Sequence, residues 1–285
     1  MTATVFITGA TSGIGRQSAL SLVHAGHHVV ASGRNEAALQ EVAEDASAAT
    51  GRLYPMVLDV TDTDGVAGVE SRAQTLLEGR PVDVLVNNAG FSLPGPLELV
   101  DDAALRRQFD VNVFGLMEVT RAFLPGMRSR RRGRIVNISS GMGRQTLPLH
   151  GAYNASKYAV EALSDALRME MAPWNVQVLL IEPGTVDTGF ADRALEALHR
   201  YAHESSPYRD AITQVEQSYA RAYGSSPTAE TVARQVVEAI ESKRPRPRYI
   251  SWNTLLRVTV LEAIPTRWAD EVKRRALGYT AAAQP

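Results

Sequence analysis

Short runs of β-branched and apolar residues recur along the chain at intervals that leave room for helices. The runs at 4–8, 28–31, 53–58, 82–86, 134–139 and 176–182 read as strands. Between them, apolar positions return at helical spacing over 15–25, 36–49, 104–127 and 155–172, and each stretch is bounded by Gly, Pro or Asn. A further helix at 229–242, a last strand at 248–251 and a terminal helical stretch at 253–277 complete the pattern. The strands are apolar throughout instead of alternating with polar residues, so both faces of their sheet must be covered. With intervening helices, this predicts an α/β fold, a doubly wound parallel sheet in a single domain. From 187 to 226 the pattern loosens into charged helical sequence carrying Phe190, Tyr201, Tyr208 and Tyr219, which reads as a helical cap over a substrate site. Ligands of such sheets bind beyond the carboxyl ends of the strands, so the residues that follow each strand carry the functional argument.

Composition narrows the field. At 285 residues with 45% hydrophobic and 21% charged side chains, the chain has the make-up of an ordinary globular protein with a sizeable core. A formal net charge of −1 supplies no global attraction to nucleic acid, and none is expected as a partner. The absence of cysteine excludes disulfides, thiolate nucleophiles and cysteine-held metal centres. The first residues, MTATVFITGA, lack the basic start and apolar stretch of a secretory signal and lead directly into a strand, so a cytoplasmic protein is expected. No run reaches the roughly 18 apolar residues of a membrane span.

The first strand ends in Thr8-Gly9-Ala10-Thr11-Ser12-Gly13-Ile14-Gly15, and a helix follows. Glycines there let the backbone approach a pyrophosphate at a helix N-terminus: Gly9 suits the tight turn, Gly13 the phosphate and Gly15 the packing of helix on strand. This is the dinucleotide turn of a Rossmann fold. At the end of the second strand the chain reads Ser32-Gly33-Arg34-Asn35, with no carboxylate to meet a ribose 2′-hydroxyl. Arg34 is suited instead to a 2′-phosphate, which favours NADP(H) over NAD.

The turn's spacing, Thr-Gly-x-x-x-Gly-x-Gly, resembles that of the short-chain dehydrogenase/reductase family. Asn87-Asn88-Ala89-Gly90, Asn112, Ser140, Tyr153-x-x-x-Lys157 and Pro183-Gly184 follow in that family's order. The resemblance implies that Thr11, Ser12 and Ile14 join the glycines at the cofactor and that Asp59 and Val60 flank its adenine. It further implies that Asn87, Ala89 and Gly90 lie along the cofactor, and that Pro183, Gly184, Val186 and Thr188 meet its nicotinamide and phosphates. Gly33-Arg34 and the stretch from Glu182 to Phe190 look most like the branch of 17β-hydroxysteroid and retinol dehydrogenases. Homo-oligomers are common in the family.

Reduction of a carbonyl by hydride builds charge on its oxygen, so the site needs an acid there. A free tyrosine, with a pKa near 10, is too weak a base for the reverse reaction. Lys157 follows Tyr153 by four residues, on the same helix face, and its charge favours the phenolate. Ser140 stands after the fifth strand, where a hydroxyl can hydrogen-bond the substrate oxygen without ionising. Periodicity does not separate Ser140 from Ser139; the family's spacing to the tyrosine selects Ser140. Asn112 is a polar residue on an apolar helical face, and two readings apply: an amide satisfied by backbone, or, at this place in the family pattern, part of a proton relay through a held water.

Other features are read blandly. Arg128, Arg130, Arg131, Arg132 and Arg134 are expected to form a solvated cap at a helix end. The six histidines show no metal-ligand spacing beyond His24, His27 and His28, at the edge away from the site, and no metal is expected. The apolar stripe Leu255, Val258, Leu261, Ile264, Trp268, Val272 and Leu277 is expected to pack on the core or a partner subunit, with a membrane surface as the alternative. The expected function is an NADP(H)-dependent oxidoreductase that interconverts a lipophilic ketone or aldehyde and an alcohol, with Phe91, Leu93, Met142, Leu147, Leu149 and Phe190 lining the pocket. The alternatives are a non-catalytic NADP(H)-binding sensor, and an isomerase or dehydratase, whose relatives carry a larger substrate domain.

Overall fold

A computed structural model describes residues 2–186, 189–223, 227–277 and 279. The chain runs β1 (Thr4–Thr8), α1 (Gly13–His24), β2 (His28–Gly33), α2 (Glu36–Asp45), β3 (Arg52–Val57), a single turn α3 (Thr63–Val66), α4 (Val69–Leu76) and β4 (Val84–Asn87). It continues through α5 (Asp102–Phe109), a π-helical turn (Asp110–Gly115), α6 (Leu116–Ser129), β5 (Gly133–Ile138), a 3-10 turn (Gly141–Gly143) and α7 (Gly151–Met171). After a second 3-10 turn (Ala172–Trp174) come β6 (Val176–Glu182), α8 (Gly189–His199), α9 (Arg209–Tyr223), α10 (Ala229–Glu241), β7 (Arg248–Ile250), α11 (Trp252–Ala263) and α12 (Thr266–Ala276).

The sheet is parallel throughout, in the order β3-β2-β1-β4-β5-β6-β7, with Val5 in register with Val29 on one side and Val84 on the other. Strand order reverses between β1 and β4, which leaves a crevice at their carboxyl ends. The two faces bury separate cores, as the uninterrupted apolar strands require. Val5 and Ile7 of β1 lie in one with Leu22 of α1 and Val236 of α10. Phe6 points the opposite way, into a core with Val69, Leu85 and Phe123, its ring 4.9 Å from that of Phe123. Each such side chain contributes about 2 to 3 kcal/mol by burial. A smaller cluster of Leu149, Leu198, Tyr201, Ile212 and Val215 seats α8 and α9 on the loop before α7.

Three expectations need correction. The helix read across 104–127 is interrupted by the π-helical turn at Asp110–Gly115, where Asn112 bonds to backbone outside the helix. The terminal stretch is two helices separated at Pro265, which has no N–H to continue the first. The arginine run is not a uniformly solvated cap. Arg134 is half-buried and donates to Ala239 O at 2.6 Å, Ser242 O at 3.0 Å and Gln177 Oε1 at 2.6 Å, closing the carboxyl end of α10. Arg130 reaches Val82 O and Arg131 reaches Pro173 O, while Arg132 stays 64% exposed. Leu256, Val260, Trp268 and Val272 are exposed, whereas Val258 is buried, so only part of the terminal stripe packs on the core. Among the described residues, no helix is long and apolar enough to cross a membrane.

Arg134→Ala leaves the last carbonyls of α10 without donors, and a loss of about 2 kcal/mol is expected in urea unfolding. Arg132→Ala, at an exposed position next to it, is expected to stay within about 0.5 kcal/mol of the unaltered protein.

Candidate active site

The glycine turn lies at the crevice. Gly9 and Gly13 adopt φ of +68° and +54°, a region that L side chains avoid. A Cβ on Gly9 would come within 2.8 Å of Ala89 Cα, and one on Gly15 within 2.3 Å of Gly9 O, so both positions exclude any side chain. Thr8 and Asn88 fix the turn against the end of β4. The Thr8 hydroxyl accepts from the N–H groups of Asn88 and Ala89 at 3.0 Å, and the Asn88 amide donates to Thr8 O and Gly9 O at 3.0 Å. Ser12 precedes α1 but makes no side-chain cap, so the first N–H groups of the helix point into the crevice unpartnered by a cap. Thr11 packs on Gly33, and Ile14 packs into the core. A cradle of free amides with no room for side chains fits a dinucleotide pyrophosphate.

Arg34 follows β2 and is 66% exposed, held loosely to Asp59 at 3.9 Å. With Asp59, Asp62, Gly65 and Arg72 it lines a cleft of about 280 Å³. Burial by itself would raise the Asp59 carboxyl, but the backbone and hydroxyl of Thr61, with Arg34 and Arg107, outweigh it and hold the group below its ordinary value. Arg72 was not singled out in the sequence; it lies on α4, nearly forty residues beyond Arg34, and only folding brings the two guanidinium groups to one cleft. Val60 is buried and abuts Gly115, where a Cβ would stand 2.7 Å from Val60 O.

At the ends of β5 and β6 the remaining side chains converge. Ser140, Tyr153 and Lys157 are all buried, with Ser140 hydrogen-bonded to Tyr153. Ser140 Oγ also accepts from Met142 N at 3.1 Å, whereas Ser139 turns inward and its hydroxyl finds no partner. The geometry therefore separates the two serines. Lys157 Nζ donates to Ile138 O at 2.8 Å and sits 5.8 Å from the centre of the Tyr153 ring. Phe190 covers the phenol, ring centres 5.9 Å apart. Burial pushes the Tyr153 phenol up to about 12, with the Ser140 bond acting against it. Burial pushes Lys157 down to about 8, and the Glu161 carboxylate opposes that shift. The expected lowering of the phenol is thus reversed in the protein alone: the ammonium is spent on a backbone carbonyl, and removal of water dominates.

Asn112 shows the backbone-satisfied geometry. Its Oδ1 accepts from Phe91 N at 3.0 Å, and its Nδ2 donates to Phe91 O at 2.9 Å and Ser156 Oγ at 3.1 Å, which ties the loop after β4 to α7. Asn87 donates inward to Thr120 Oγ1 and Asn137 Oδ1, both at 2.9 Å. A Cβ on Gly90 would stand 3.1 Å from Asn112 Oδ1. Pro183 O accepts from Gly141 N at 2.8 Å, Gly184 lies against Thr254, and Val186 packs on the core. Thr188 lies outside the described residues. His150, just before α7, meets the Tyr219 hydroxyl of α9 at 2.7 Å, so the cap is bonded to the start of the helix that carries Tyr153.

The short chain dehydrogenase family model matches residues 3–198. A 3-ketodihydrosphingosine reductase of Bacteroides thetaiotaomicron is 39% identical over 188 residues, 66% of this chain and 65% of that protein, so the match spans a little under two thirds of its length. Retinol dehydrogenase 8 of Bos taurus is 37% identical over 252 residues, 85% of this chain and 79% of that protein. A solved short-chain dehydrogenase from Streptomyces avermitilis superposes with a TM-score of 0.78 at 29% identity, covering 99% of this chain and 100% of the other. Since the family match runs unbroken through both the glycine turn and the helix of Tyr153 and Lys157, the chain belongs to the short-chain dehydrogenase family.

Proposed function

We propose that this oxidoreductase uses NADP(H) to interconvert a lipophilic ketone or aldehyde and its alcohol, with Tyr153 as the acid/base. The observation that carries the reading is the buried meeting of Ser140, Tyr153 and Lys157 beneath Phe190, beside a glycine cradle shaped for a dinucleotide. Gly9, Thr11, Ser12, Gly13, Ile14 and Gly15 would hold the pyrophosphate, Asp59 and Val60 would flank the adenine, and Asn87, Ala89 and Gly90 would lie along the cofactor. Pro183, Gly184, Val186 and Thr188 would flank the nicotinamide. Arg34 and Arg72 would meet a 2′-phosphate, supported by the exposure of Arg34, which only a 3.9 Å contact ties to Asp59.

When bound, the nicotinamide supplies a hydride to the carbonyl carbon. The chain's own groups manage the oxygen. The Ser140 hydroxyl donates a hydrogen bond to it and orients it, and the Tyr153 phenol, held protonated at neutral pH by burial, delivers the proton. The Lys157 ammonium then stabilises the phenolate that remains until solvent returns its proton. Asn112 positions this set by holding Phe91 and Ser156. The stretch at 187–226 would serve as the substrate cap, supported by Phe190 of α8 at the Tyr153 ring and by the bond of Tyr219 of α9 to His150. Phe190 against the phenol supports a lipophilic substrate, as do relatives named for ketodihydrosphingosine and for retinol.

Oxidation of NADPH with a panel of lipophilic ketones and aldehydes tests the reading. Tyr153→Phe is expected to lower kcat about a thousandfold with little change in cofactor affinity. Arg34→Ala is expected to weaken NADPH binding about tenfold while leaving NADH unchanged; a preference for NADH in the unaltered protein refutes the assignment of Arg34. Because Lys157 is charged only below about pH 8 in the cofactor-free protein, kcat/KM for reduction is expected to fall as pH rises through that value. Tight NADPH binding without turnover across the panel would point to a sensor.

A further inference from the structure

Beneath the active site lies a cluster of buried charges that the mechanism above does not use. Glu161 follows Lys157 by one further helical turn on α7, so Tyr153, Lys157 and Glu161 stand in a row on one face. Glu161 is 7% exposed and Glu182, the last residue of β6, is wholly buried. Arg248, at the start of β7, bonds to both: Nη1 meets Glu161 Oε2 and lies 2.7 Å from Glu182 Oε1, while Nη2 lies 2.6 Å from Asp165 Oδ2. Arg144, from the segment after Ser140, stands 3.8 Å from Glu182 and 3.6 Å from Glu262 of α11. Glu161 Oε1 and Glu182 Oε2 are buried without a hydrogen-bond donor, so this part of the cluster carries more negative charge than its arginines satisfy. Gly143 lets the turn after Ser140 lie against it, since a Cβ there would come within 2.9 Å of Glu161 Cγ and 3.0 Å of Ser139 Oγ.

We propose that Glu161, anchored by Arg248 opposite Glu182, is a positioning residue that holds a fixed negative charge one turn behind Lys157 and keeps that lysine an ammonium in a site from which water is excluded. The inference rests on the oxidoreductase reading, because it gives Glu161 its purpose through Lys157. Taking an ammonium out of water is costly, and one carbonyl from Ile138 does not replace its hydration. A carboxylate along the same helix face supplies the missing attraction in a low-dielectric setting, where a nearby opposite charge is worth a pKa unit or more, roughly. The titratable and charged groups facing this region are Tyr153, Asp165 and its partner Arg168 on α7, Glu182 on β6, Arg248 on β7, Arg144 after the 3-10 turn and, through Arg144, Glu262 on α11. Burial, followed by the charge of Glu161, raises Glu182 against the pull of Arg248 and Arg144.

The chain has three lysines, Lys157, Lys243 and Lys273, so isotope-labelled lysine gives a nuclear magnetic resonance spectrum of three side-chain signals. The signal lost in Lys157→Arg is that of Lys157. Titrated without cofactor, Lys157 in Glu161→Gln is expected to lose its proton about one pH unit lower than in the unaltered protein, with Glu161→Asp in between and Lys243 and Lys273 unmoved. Should the amide not be accommodated, Glu161→Met removes the charge at similar volume and predicts the same displacement. An unshifted Lys157 in either folded variant overturns the proposal. The titration needs no turnover: a shift in Lys157 without reduction of any carbonyl would sustain the role of Glu161 and sink the proposed substrate chemistry alone.

Discussion

The seam between β1 and β4 is the constraint on which the rest of the site depends. Two parallel strands whose crossovers leave in opposite directions open a crevice at their carboxyl ends, and that crevice must be kept at a fixed width if a dinucleotide is to enter it. The Thr8 hydroxyl and the Asn88 amide hold it, each bonded twice across the seam. Gly9 and Gly15 are then forced to lack side chains, because the backbone of the neighbouring segment occupies the space. The same β4 loop continues to Phe91, which Asn112 grips from the π-helical turn while reaching Ser156 on α7. The glycine turn and the helix of Tyr153 are in this way parts of one hydrogen-bonded unit.

Dryness governs the chemistry of that unit. Tyr153 lies against Phe190 and both it and Lys157 are buried, and loss of water moves each toward its neutral form. For a phenol proposed to give up a proton to substrate this is useful; for an ammonium it is a penalty. The fold answers with negative charge from Glu161, itself buried and therefore dependent on Arg248 and the end of β6. Removing one member of so buried a cluster leaves the others uncompensated, so its charges are to be understood together.

Much of this was legible in one dimension. The unbroken apolar run of Thr4–Thr8 requires a strand covered on both faces, and the order of runs and helices then leaves a doubly wound sheet as the economical solution. The glycines after β1 reveal a close backbone approach because no other residue tolerates φ near +68° and a neighbour at 2.8 Å. The spacing of Tyr153 and Lys157 places them on one helix face wherever that helix lies. These inferences hold because each rests on local geometry or on a period.

Tertiary structure decided what depends on partners distant in sequence. Arg134 looked like one of five solvated cations, yet backbone carbonyls at the end of α10, more than a hundred residues later, accept from it. The inward turn of Ser139 and of Asn87 and the break in the helix at Asn112 follow from which way each backbone faces once β4, β5 and α7 are assembled. Arg72 joins Arg34, and Arg248 joins Glu161 to Glu182, only across separate elements. A charged residue's role is set by who neutralises it and how much water remains. Neither is encoded in local periodicity, so the sequence determined the frame and the candidate groups, and the packed fold determined their electrical surroundings.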